Sequence, residues 1–169
     1  MLRPMDTSHD TNESEILVLG LGNILLTDEA VGVRVLETLA EHPEFPTQGV
    51  RLMDGGTMGM TLMVDMEDAG ALIIIDAAQL QQPVGTVQVF EGEEMDHFLR
   101  NRGRSPHDIG LDDIMDGLRL RSAVPEKRAL VGIQPKDLRV GEKLTPAVQD
   151  ALPLAADSII SLISRWKTI

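Results

Sequence analysis

Three short apolar runs separated by amphipathic stretches limit this chain to a narrow set of folds. EILVLG at 15–20 has the length and composition of a strand buried on both faces of a parallel sheet, and VRLMDGG at 50–56 and GALIIIDA at 70–77 read as the second and third strands. Between the first two, residues 28–42 place Val31, Val35 and Leu39 on one helical face, with Asp28 and Glu29 in the first turn, where the helix dipole favours acids. His42 and Pro43 are expected to close that helix, and Gly32 within it to mark close packing on the sheet. A second helix is expected from about 58 to 68. Strand, helix, strand, helix, strand implies a parallel, doubly wound core.

The rest of the chain extends this pattern. TVQVFEG at 86–92 follows the third strand after only about eight residues, too few for a parallel crossover, so it is predicted to run antiparallel. Residues 99–107, RNRGRSPH among them, read as a loop. A helix is predicted over 108–120, where Asp108 is placed to cap and Leu111, Ile114, Met115 and Leu118 recur at helical spacing. ALVGIQP at 129–135 supplies a fifth strand. Thr145-Pro146 opens a last helix whose stripe is Val148, Leu152, Ile159, Ile163 and Trp166, with a kink or break expected at Pro153. The fold class is therefore α/β, with five strands, mainly parallel, one of them antiparallel. Residues 1–14 read as a flexible polar tail and 15–169 as one domain.

Composition removes several classes of function. A formal net charge of −12 repels phosphate backbones and anionic headgroups, and aromatics at 2% cannot build a base-stacking platform, so neither nucleic acid nor membrane is expected as a partner. The absence of Cys excludes disulfides, a thiolate nucleophile and Cys-based metal sites. The opening residues lack the apolar segment of a secretory signal, and no run of about 18 apolar residues appears, so a cytoplasmic location is expected.

The local motifs are weak. GLGNIL at 20–25 departs from the dinucleotide fingerprint at Leu25, where a third glycine is needed, so Gly20 and Gly22 read better as a tight turn. There is no G-x-S-x-G elbow and no H-E-x-x-H helix, and Ser105 and His107 have no evident orienting acid. What remains is a set of carboxylates at the carboxyl ends of separate strands, the edge where open α/β sheets build ligand sites: Asp28, Glu29, Asp54 and Asp76. Asp76 ends the run LIIID, and a carboxylate there needs a cation, donors or a cleft. His107 stands in a Gly, Ser and Pro loop rather than on an apolar stripe. One imidazole and two carboxylates make a reasonable divalent-metal site for nickel, zinc or manganese, although separations of 47 and 31 residues form no local motif.

A resemblance sharpens this. ILVLGLGNILLTDEAVGVRVLETL at 16–39, MDGGTMGMTLM at 53–63, LIIIDA at 72–77, SPHDIGLDDI at 105–114, LVGIQP at 130–135 and LTPAVQDALP at 144–153 resemble, in family order, the nickel-iron hydrogenase maturation endopeptidases. That resemblance implies a three-layer fold, a twisted and mainly parallel five-stranded sheet flanked by helices. It implies removal of the C-terminal extension of the hydrogenase large-subunit precursor, with Glu29, Asp76 and His107 as metal ligands and catalytic residues acting through the metal. It further implies nickel brought by the precursor, and no organic cofactor is expected. Asp28 or Asp54 is a candidate to orient the attacking water, and Gly55, Gly56 and Thr57 are candidates to hold substrate backbone. A peptidase carrying its own zinc, and a nickel-delivery or assembly chaperone that cuts nothing, are the alternatives.

Overall fold

The computed structural model describes residues 15–57, 59–102 and 110–168. The N-terminal segment 1–14, the expected cap Asp108 and the candidate ligand His107 lie outside the described residues. Five strands form one sheet: β1 (Ile16–Leu21), β2 (Val50–Gly56), β3 (Ala71–Ala77), β4 (Val87–Glu91) and β5 (Lys127–Ile133). Their order is β2-β1-β3-β5-β4. The β1–β2, β1–β3 and β3–β5 pairs are parallel, and β4 pairs antiparallel with β5. The antiparallel strand is the one whose preceding connection is too short for a crossover, as expected.

Strand alternation fills two cores. Ile73 and Ile75 of β3 face one side of the sheet, against Val31, Val35 and Leu39 of α1 (Val31–Ala40) and the apolar stripe of α5 (Pro146–Lys167). Leu72 and Ile74 face the other side, against α2 (Leu62–Glu67), α3 (Glu93–Asn101) and α4 (Leu111–Leu120). Both faces of the inner strands are thus covered, which explains why they read as continuous apolar runs. By length and mean apolarity α5 meets the requirement of a membrane span, but Val148, Leu152, Ile159, Ile163 and Trp166 are buried in the core on the α1 side of the sheet.

Three local expectations need correction. The segment after β4 is not loop throughout: α3 begins at Glu93 and runs to Asn101, burying only Met95, Asp96 and Leu99, too sparse a stripe to stand out in so acidic a stretch. Pro153 does not break α5, which is helical from 146 to 167. Pro153 and Gln149, the residue whose carbonyl loses its donor, are both exposed, so water can satisfy that carbonyl. Finally, α4 starts behind Gly110, whose N–H donates to the Asp113 carboxylate at 2.9 Å.

Candidate active site

The carboxyl ends of the parallel strands β1, β2 and β3 lie at one rim of the sheet, and the segments leaving them shape the site. After β1 the chain turns at Gly22 into a short 3-10 turn, Thr27–Ala30, which leads directly into α1. Gly22 has φ +126, and a Cβ there would lie 1.7 Å from the Glu29 carbonyl oxygen. A Cβ on Gly32 would fall 2.3 Å from the Leu21 carbonyl oxygen and 2.5 Å from that of Ile75. These two glycines let the turn and the start of α1 sit directly on the ends of β1 and β3, bringing Glu29 to the neighbourhood of Asp76.

The turn is locked from beneath by Asp28. Its fully buried carboxylate accepts the N–H groups of Lys136 (2.9 Å), Asp137 (3.1 Å) and Thr145 (2.7 Å) and the Thr145 hydroxyl (2.7 Å). Burial alone would raise the Asp28 pKa, but these donors outweigh it and hold the group below its ordinary value. Thr145 stands at the N-cap of α5 but spends its side chain here rather than on the helix. With four donors and no exposure to solvent, Asp28 is placed to fasten the turn to the 136–145 segment rather than to orient a water.

Glu29 and Asp76 line the same open cleft, of about 680 Å³, together with Gly22, Gly56, Thr57 and Arg102. A second depression of about 740 Å³ adjoins it and shares Glu29, Arg102 and Gly110. The Asp76 side chain is 17% exposed, and the Nη1 of Arg102 stands 3.6 Å from its Oδ2. Burial pushes the Asp76 pKa up, Arg102 pulls it down, Glu29 pushes it up again and the Ala77 N–H pulls it down, leaving it at about 6. Glu29 and Asp76 thus bring two carboxylates to one cleft, close enough for Glu29 to raise the Asp76 pKa, and a carboxylate pair of this kind can accept a cation.

The remaining candidates divide. Gly56 and Thr57 line the cleft, whereas Gly55 is buried, its α-carbon packed under Leu19, Leu21 and Leu62. Asp54 is exposed, accepts the Gly56 N–H at 2.8 Å, and does not line the cleft. Among the described residues no three His, Asp or Glu side chains gather as a metal site; the third expected donor, His107, is outside them. Arg102 was not singled out from the sequence. Its signal was available, since Arg100, Arg102 and Arg104 concentrate positive charge just before S-P-H in a strongly acidic chain. A groove of about 950 Å³ between α1 and the start of α5 holds none of the candidate residues.

Residues 33–162 match the family model for hydrogenase maturation protease, HycI. The chain belongs to this family. The hydrogenase 2 maturation protease of Escherichia coli strain K12 is 40% identical over 149 residues, covering 88% of this chain and 90% of the relative. The hydrogenase expression/formation protein HoxM of Azotobacter vinelandii is 36% identical over 159 residues, covering 89% of this chain and 76% of its own length. Among solved structures, the E. coli hydrogenase maturating endopeptidase HybD matches with a TM-score of 0.79 at 38% identity, over 89% of this chain and 93% of that one. The [NiFe] hydrogenase maturation protease HybD of Thermococcus kodakarensis matches at 0.69 and 27% identity, over 88% and 98%. This protease is therefore a hydrolase with the α/β fold of those endopeptidases, and its cleft sits at the strand ends where such folds build their sites.

Proposed function

We propose that this protease removes the C-terminal extension of the nickel-iron hydrogenase large-subunit precursor once nickel is in place, and that the metal held by the precursor is what its cleft recognises. The observation carrying this is that Glu29 and Asp76, from separate elements, share one cleft, where the charge of Glu29 raises the Asp76 pKa. Glu29 and Asp76 supply oxygen donors, and His107 is assigned the nitrogen donor. An oxygen-rich donor set with one imidazole suits a first-row divalent ion, and three protein ligands leave positions for groups of the precursor. The precursor's metal supplies Lewis-acid chemistry at the scissile bond. The Gly56–Thr57 turn forms part of the same wall and is placed to pass the extended chain. The large-subunit precursor is the partner, and the cytoplasm is the compartment.

Incubating the purified protein with nickel-loaded and nickel-free precursor tests this by mass. Loss of the C-terminal extension from the nickel-loaded form alone is expected. Cleavage of the nickel-free form would overturn substrate-borne recognition, and an unchanged mass in both would overturn the protease reading. Glu29→Gln, Asp76→Asn and His107→Leu are each expected to reduce processing by at least about a thousandfold. Normal cleavage by any one removes that residue from the site.

A further inference from the structure

Among the described residues, an arginine already stands against one of the candidate ligands. Arg102 follows α3 and lines both depressions at the strand ends, and its guanidinium stands 3.6 Å from Asp76 Oδ2. Resting on the proposed role of Glu29 and Asp76, we propose that Arg102 is a built-in counter-cation that holds the cleft in its metal-free state and has to leave Asp76 before a divalent ion can bind.

The geometry supports displacement rather than a fixed structural pair. At 3.6 Å the contact is an ion pair longer than a good hydrogen bond, and the two side chains are 27% and 17% exposed, so the guanidinium has a path to solvent. The structural arginine of the same fold looks different. Arg128 grips Asp96 through two bonds, of 3.1 and 2.7 Å, and has 14% side-chain exposure. A divalent ion brought to the Asp76 carboxylate while Arg102 stays within 4 Å of it meets like-charge repulsion. Every ion therefore binds against the same competition. A free aqueous ion has only the protein's donors to offset it, whereas an ion held in a folded partner also brings that partner's contacts. Arg102 thus sets a threshold that favours metal presented by a protein over metal in solution.

Isothermal titration of the full-length protein with nickel chloride near pH 7.5 tests this without any precursor. Arg102→Gln is expected to bind nickel about tenfold more tightly than the native chain, the factor that competition from one partly exposed ion pair supplies. Arg102→Met, which keeps the apolar stem, is expected to do the same, so a folding defect in one variant does not hide the effect. Arg100→Gln, the same charge change two residues away, is expected to leave affinity within about twofold. Adding Asp76→Asn to Arg102→Gln is expected to abolish the gain. Equal affinity in the native and Arg102 variants, or an equal gain in Arg100→Gln, overturns the counter-cation. Failure of every variant to bind nickel overturns the counter-cation, whereas binding indifferent to Asp76→Asn overturns the Glu29–Asp76 reading itself and the counter-cation with it.

Discussion

Asp28 and Glu29 are adjacent in sequence and differ in surroundings. Asp28 receives four donors and no solvent; Glu29 opens onto the cleft. Asp28→Asn turns an amide N–H₂ toward groups that themselves donate, so it is expected to cost about 3 kcal/mol in denaturant unfolding, whereas Glu29→Gln changes stability by less than about 1 kcal/mol. Equal stability of the two variants would show that Asp28 does not fasten the turn. The sequence could not separate these roles, because the Asp28 donors come from residues 108, 109 and 117 positions away. Asp76 was legible for the opposite reason: a carboxylate ending an apolar strand signals its predicament locally. Arg102 was hidden because its meaning depends on α3, which the pattern did not disclose.

That helix also shows how a polar element is held. Met95 and Leu99 are its only fully buried apolar anchors, with a stack of Phe98 on Phe90 at 4.3 Å beside them. The remaining hold is electrostatic: Asp96 pairs with Arg128 of β5 at 2.7 Å and with Arg119 of α4 at 3.0 Å. Burial would raise the Asp96 pKa, but the two arginines outweigh it and set it below its ordinary value. A lowered folded-state pKa means that the contribution is complete above the unfolded carboxylate range and is lost as pH falls through the folded value. Asp96→Asn is therefore expected to cost about 2–3 kcal/mol at pH 7, and the difference from the native chain should shrink as unfolding is followed from pH 5 towards pH 2. A gap independent of pH would refute the charge argument. Periodicity finds helices with wide apolar stripes, so α1, α4 and α5 were legible, and it passes over one anchored by an aspartate among glutamates. Of the kink or break expected at Pro153, the break is absent for a related reason: a proline penalty is severe where the freed carbonyl is buried, and Gln149, which carries this one, is exposed.

Taken together, the molecule carries its cleft at a cost in stability. Asp76 titrates at about 6 in the folded protein, against 3.8 as its ordinary value, so between those limits the folded chain binds the extra proton and the unfolded chain does not. Stability therefore declines as pH rises through that window, and the full cost is present above it. The shift corresponds to at most about 3 kcal/mol, since each pKa unit is about 1.4 kcal/mol. Replacing Asp76 removes the penalty and also the ion pair with Arg102, so Asp76→Asn is expected to gain about 1–2 kcal/mol at pH 8 and almost nothing at pH 4. Thermal or denaturant unfolding of the two proteins at both values measures this directly. The same variant is expected to lose precursor processing. A residue whose removal strengthens the fold while ending the reaction belongs to the site and not to the scaffold. A destabilised Asp76→Asn at pH 8 would instead make the Arg102 pair a structural tie, and would weaken the case that this cleft waits for a cation.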